Sequence, residues 1–257
     1  MNEIISLNIW QFSLIYLLLF IVLFIMKKCK IDKTKLLVVA SLRMTVQLVL
    51  AGLILTYILM NPNPAFTVTY IMLMTAYAIY IVLQMNKSIN KNFKMIVGVS
   101  LATSGIAIVC FFVMAVVGVN IFNPQYTIPI SGMIIGNAMT GVSLGLKTFN
   151  ENIKSQRMQI NALINMGATP QKILTPFVNQ AVGTALLPTL NSMLGMGVIM
   201  LPGMMTGQIL SGTLPMTAIL YQIAIIIAIC AVTCLSVFCS LFFGYKTLYN
   251  ERNQMII

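Results

Sequence analysis

A chain of 257 residues in which 59% are hydrophobic and only 7% are charged lacks the polar surface of a water-soluble domain. Several of its apolar runs reach the roughly 20 residues that cross a bilayer. This composition excludes a soluble enzyme or a nucleic-acid-binding module, and the net charge of +11 has to be explained by where Lys and Arg stand along the chain.

Seven apolar runs follow in chain order, over 8–26, 37–60, 66–85, 95–119, 129–147, 177–200 and 216–244. The class predicted is an all-α, polytopic, multi-pass membrane protein with about seven transmembrane helices. No short basic leader with a small-residue cleavage site precedes the first run, which therefore reads as a retained span. Lys27, Lys28, Lys30, Lys33 and Lys35 follow the first span; Lys87, Lys91 and Lys94 the third; Lys147, Lys154, Arg157 and Lys172 the fifth; Lys246 and Arg252 the seventh. The connections at 61–65, 120–128 and 201–215 carry no Lys or Arg. Basic loops gather on the cytoplasmic side, so the N-terminus is expected outside and the C-terminus inside. No repeat or linker divides residues 1–257, which read as a single membrane domain with a cytoplasmic segment at about 148–176.

The residues that are missing narrow the function. There is no histidine, and the four acids, Glu3, Asp32, Glu151 and Glu251, all fall in expected loops or tails, so no span offers a titratable proton relay. No G-x-x-x-x-G-K-[ST] loop is present to hold nucleotide phosphates, and no acid/base pair or activated nucleophile suggests catalysis. Cys110, Cys230, Cys234 and Cys239 lie within spans and Cys29 in a loop. None has the partners of a tetrahedral metal site nearby in sequence, and small packing residues is the simpler reading. The chain is expected to bind no cofactor of its own.

In the second run Arg43 is a cation inside a span, with Gln47 one turn beyond it. Arg43 either snorkels to the cytoplasmic boundary or meets an anionic cargo at the inner mouth of a path. In the fifth run "GMIIGN" places Gly132 and Gly136 at G-x-x-x-G spacing beside Met133 and Asn137; Gly141 and Gly145 repeat the spacing. Such pairs let helices approach closely.

The longest basic segment, Phe149 to Pro176, reads as two short helices and a corner. Ile160, Leu163 and Ile164 share one apolar face. Gly167 suits a left-handed helix end, Thr169 the next N-cap and Pro170 a first helical position. An ordinary helix hairpin satisfies this pattern. So does the coupling segment by which an ABC permease inserts a short helix into its ATPase. The latter assigns the contact to Asn161, Ala162, Leu163, Gly167, Ala168, Thr169 and Pro170, although the glutamate that often introduces such segments is absent and the downstream proline comes early.

Between the last two runs stands "LPGMMTGQILSG", Leu201 to Gly212. Irregular backbone at the membrane is tolerated where protein or water satisfies it, so Pro202 and Gly203 are expected to make a re-entrant turn or broken helix outside. Gly203 and Gly207 form a further close-approach pair, and Gln208 offers a neutral amide. Tight packing and an outer gate near Gly132–Asn137 both fit this stretch. Methionine is abundant at 20 residues, with Met133, Met139, Met193, Met196, Met200, Met204 and Met205 concentrated around the fifth and sixth spans. Thioethers either fill irregular packing or ligate a soft metal, for which Met133, Met204 and Met205 are the candidates.

Taken together, "RMTVQL" at 43–48, "IPISGMIIGNAM" at 128–139, "NMGATP" at 165–170, "LPGMMTGQILSG" at 201–212 and "LYQI" at 220–223 resemble the FetB/YbbM family over nearly the whole chain. That family holds permeases of iron-exporting ABC transporters and is similar to the plant aluminium-sensitivity permease. The resemblance implies a non-catalytic export permease in the cell membrane, two copies with two ATPase subunits, and ATP and Mg bound by the partner ATPase. Bacterial members point to iron or another metal as cargo, plant relatives to an organic anion such as a nucleotide sugar. An ion-coupled secondary carrier and a membrane interaction or sensor protein are the rival classes.

Overall fold

In the computed structural model residues 8–87 and 89–249 are described; Glu3, Glu251 and Arg252, used above for the termini, lie outside them. The described residues are helical almost throughout. The helices are α1 (Ile9–Lys28), α2 (Thr34–Met60), α3 (Pro64–Met85), α4 (Lys91–Phe111), α5 (Pro124–Ser155), α6 (Arg157–Asn165), α7 (Pro170–Gly195), α8 (Gly203–Leu210) and α9 (Pro215–Gly244). Seven of them, all but α6 and α8, are long and apolar enough to cross a membrane.

Helix starts follow residue chemistry. Proline supplies the first position of α3, α5, α7 and α9, where its missing N–H costs nothing. The Asn63 side chain accepts from the Ala65 amide at 2.9 Å, and the Asn123 side chain from the Gln125 amide at 3.1 Å. α4 runs on into a π-helical turn, Phe112–Val117, and stops at Gly118, whose φ of +75° L side chains rarely adopt.

The chain divides into two compact units. The first comprises α1 and α2 with Leu210–Gly212; the second runs from Pro62 to Ile209 and from Thr213 onward. Within the first, the Tyr16 hydroxyl and the Thr45 hydroxyl meet at 2.7 Å between α1 and α2, and both helices leave most of their apolar side chains exposed, as suits surface in contact with lipid tails.

The second unit is built around α5 and α9. α9 packs against α4, α5 and α7, and α5 also packs against α3, α4 and α7. Small residues permit these approaches: a Cβ on Gly145 would stand 2.7 Å from Val237 Cγ1 and 3.5 Å from Ala185 Cβ, while Gly141 abuts Thr233 and Gly244 lies against the Phe93 ring. Phe93 in turn meets Phe149 edge-on at 6.3 Å. Without a hydrophobic drive inside a bilayer, such packing and interhelical hydrogen bonds hold the bundle. The Ser104–Ser236 hydroxyl pair at 2.6 Å is one such bond between α4 and α9.

Three expectations change. The sixth span occupies 170–195 rather than 177–200: Pro176 and Pro188 lie inside α7 without ending it, whereas the left-handed Gly197 turns the chain at 196–200. The corner at 149–176 contains one short helix, α6, because its second helix is the opening turn of α7. The fifth span is longer than its apolar run, since α5 covers 32 residues; at 1.5 Å per residue this is about 48 Å, well beyond a hydrocarbon core of about 30 Å.

Candidate functional site

α5 and α7 are the two least apolar spans, and their polarity is not hidden in the bundle. Asn137, Thr140, Lys147 and Glu151 on α5 are exposed, as are Asn179, Gln180 and Gly183 on α7. The two helices are tied by Asn152 Nδ2 donating to Gln180 Oε1 at 3.1 Å, and on each helix these exposed residues follow helical spacing along one side, so that a polar face on α5 adjoins one on α7 at this end. Several of its donors are turned back on the helix: Asn137 Nδ2 to Met133 O at 2.8 Å, Thr140 Oγ1 to Gly136 O at 3.1 Å and Thr184 Oγ1 to Gln180 O at 2.9 Å. Pro176 and Pro188 leave the Lys172 and Thr184 carbonyls without their i+4 amides. A face rich in amides and freed carbonyls suits water or another polypeptide better than acyl chains. Of these residues the sequence singles out Asn137 as a path residue, and Lys147 and Glu151 only as loop charges; Thr140, Asn179, Gln180 and Thr184 were missed, and the lower hydropathy of these two spans was the signal that could have found them.

The face leads into the α5–α6–α7 corner. Ile160 is fully buried and Ile164 packs against the core, whereas Leu163, expected on that same face, is exposed. Asn161, Ala162, Leu163, Gly167 and Thr169 are all exposed. Gly167 takes φ +81° and Ala168 N donates to Leu163 O at 3.0 Å, a left-handed helix end of the kind glycine permits. Ala168 packs against the chain's own core and is half-buried, so only part of it is offered outward. Thr169 has N-cap backbone angles and its carbonyl accepts from Ile173 N, but its hydroxyl makes no capping bond; Pro170 is the first residue of α7. Lys147 Nζ and Glu151 Oε1, 3.9 Å apart and exposed, form a weak i,i+4 pair on the approach to this corner.

The remaining candidates fall elsewhere. In the 201–212 stretch Pro202 does not break a helix; its carbonyl receives Thr206 N at 2.9 Å and thereby opens α8 with Gly203. The expected approach of this stretch to Gly132–Asn137 does not take the form of helix packing, because α8 builds no extended interface with α5. A Cβ on Gly203, Gly207 or Gly136 would meet nothing within 4 Å, while one on Gly132 would stand 3.1 Å from Met74 Cε. Met133 and Met204 pack against the core, Met205 is buried, and Gln208 is half-buried on α8. Arg43 and Gln47 belong to the first unit, exposed on α2 one turn apart. Among the described residues no three of His, Cys, Asp and Glu come together as a metal cage.

Comparison with known proteins places this architecture. Residues 9–249 match the family described as "Uncharacterised protein family (UPF0014)". The chain is 30% identical to the UPF0014 membrane protein YjkA of Bacillus subtilis, over 95% of this chain and 96% of that one. It is 30% identical to the "Probable iron export permease protein FetB" of Escherichia coli, over 84% and 82% of the two chains. It is 29% identical to the protein ALUMINUM SENSITIVE 3 of Arabidopsis thaliana, over 83% and 77%. No solved structure matches. With seven apolar spans and a match over almost its entire length, the chain is a multi-pass membrane protein that belongs to the UPF0014 family.

Proposed function

We propose that the chain is the membrane-spanning permease subunit of an ABC exporter in the cell membrane, driven by a separate ATPase that binds ATP and Mg. The observation that carries this reading is the continuity of the polar α5–α7 face with the exposed α6 corner: a path for cargo ends where a partner can push on it. In this reading the corner lies in the cytoplasm and meets the ATPase through Asn161, Ala162, Leu163 and the Gly167–Pro170 turn. Two copies of the permease face one another across α5 and α7 with water between them. The name of the Escherichia coli relative supports iron as the cargo class; the scarcity of acids and the absence of histidine favour a metal passing along neutral oxygen and sulfur donors rather than resting in a carboxylate cage.

The alternation of basic and uncharged loops supports an outside N-terminus and an inside C-terminus. In a background with every cysteine replaced by serine, exterior labelling is expected at cysteines placed at Asn63 and Asn123 and not at Lys30 or Lys154; the reverse pattern inverts the topology. The function itself is tested by purifying the tagged chain from its own membranes. An ATPase is expected to co-elute, with hydrolysis stimulated by the permease, and iron efflux from vesicles is expected to require ATP. A chain that purifies alone and whose transport follows an ion gradient would instead be a secondary carrier.

A further inference from the structure

We propose that a cavity framed by the end of α7, the 196–202 turn, α8 and α9 is a binding site for a soft monovalent cation, copper(I) or silver(I) in chemical class. The cavity measures about 410 Å³ and is lined by three thioether residues, Met193, Met196 and Met205, together with Gln222. Met205 is 9% exposed and Gln222 8%, so both are held in the wall rather than lying loose on a surface. Thioether sulfur binds copper(I) in preference to hard, oxygen-seeking ions.

Gln222 is the second observation, independent of the methionines. Its Oε1 is buried without a hydrogen-bond partner, and its amide nitrogen reaches only Met196 Sδ at 4.0 Å. A thioether is a weak acceptor, and a buried amide left so poorly satisfied is costly. A cation held by the surrounding sulfurs would give that oxygen a positive partner.

Charge sets the valence. From Ile173 to Tyr245 the sequence has no Asp, Glu, Lys or Arg, so the cavity holds neither a counter-ion for a divalent metal nor a cation to repel a monovalent one. At the end of α7 Gly195 O is already taken by Ile199 N and Met200 N at 2.9 and 3.1 Å, so the helix end adds little negative potential. A wall of neutral donors suits one positive charge better than two.

The site goes beyond the export reading, because binding is measured on the purified chain without an ATPase. Copper(I), kept reduced and in competition with a chromophoric chelator, is titrated into protein whose five cysteines are replaced by serine. One metal per chain is expected, displaced by silver(I) and unaffected by zinc(II). Met193→Leu, Met196→Leu and Met205→Leu are each expected to weaken it about tenfold, with Met133→Leu and Met204→Leu unchanged as controls. X-ray absorption at the copper edge on selenomethionine-labelled protein reads the ligands without any methionine replacement, and a copper–selenium shell is expected. Absence of that shell, equal competition by zinc(II), or loss of binding shared equally by the control positions would overturn the proposal.

Discussion

Two glycine pairs with the same spacing meet opposite fates. Gly141 and Gly145 on α5 are pressed against Thr233 and Val237 of α9, with no room for another carbon, whereas Gly203 and Gly207 on α8 have nothing within 4 Å of where a Cβ would stand. The spacing x-x-x fixes only that two residues lie on one side of a helix. Whether the side is used depends on what the rest of the chain brings to it. α5 is long and central and α9 runs along it, while α8 is an eight-residue helix with no extended helix partner among the described residues. Close approach is therefore a property of pairs of helices and is not written in one of them.

The largest effect is expected at Gly145. Leucine there has to displace Val237 and Ala185 in a centre where both neighbours are almost fully buried, and overpacking of this kind costs about 1–3 kcal/mol or more. Gly145→Leu is expected to abolish the monodisperse, detergent-stable protein, and Val237→Ala is expected to restore part of the stability of the milder Gly145→Ala. A Gly145→Leu protein that melts at the wild-type temperature would mean α5 and α9 do not pack as described.

Next in size is Gly167, where the constraint lies in the backbone and not in a neighbour. Its φ of +81° is combined with open space around the Cβ position, so valine brings no clash but about 1–2 kcal/mol of conformational strain. Gly167→Val is expected to insert and fold, to lose protection against proteolysis at the 157–169 corner, and to stimulate the ATPase less. Full stimulation would reduce the corner to a helix hairpin.

A smaller effect is expected where α4 meets α9 through hydroxyls. Ser104 Oγ contacts Ser100 O at 2.5 Å, Ser236 Oγ contacts Val232 O at 2.6 Å, and the two hydroxyls are 2.6 Å apart. Each serine has a single proton, so the bond across the interface forms only when one of the back-bonds to its own helix is given up. A double-mutant cycle with Ser104→Ala and Ser236→Ala is expected to give a coupling of about 0.6 kcal/mol. A coupling of several kcal/mol would show that hydroxyls, and not small-residue contact, hold these helices together.

The sequence carried the spans because hydropathy and Pro or Asn at helix starts are local signals. It carried the Gly167 turn for the same reason, since a left-handed residue between two helices is a requirement of the backbone itself. The outcome at Pro202 was not legible: a proline can end a helix or open one, and here α7 has already ended at Gly195 and turned at Gly197 before Pro202 O accepts from Thr206 N at the start of α8. The exposed amides of Asn179 and Gln180 were also not legible, since helical periodicity tells which residues share a face but not whether that face meets α9 or lies open. Nor did the methionine count separate Met193, Met196 and Met205 in one cavity wall from Met133 and Met204 against the core, because that sorting depends on where α7, α8 and α9 converge.

The smallest effect is expected at the unobstructed glycine pair on α8. Gly203 and Gly207 lie on α8 without a neighbour to obstruct, so replacing either by alanine should leave thermal stability in detergent unchanged or raise it, by about 0.5–1 kcal/mol at most, as the helix gains from a more restricted residue. Gly207→Leu starts from a Cβ position with nothing within 4 Å and is expected to fold as wild type does, unlike Gly145→Leu. A stability loss of comparable size at both positions would dissolve the distinction between used and unused glycine pairs. If Gly207→Leu keeps full stability but exports poorly, the open space beside α8 is needed by something that passes or docks there, and the glycine is retained for access. If it exports normally as well, the pair on α8 serves neither packing nor passage, and the 201–212 stretch is no gate.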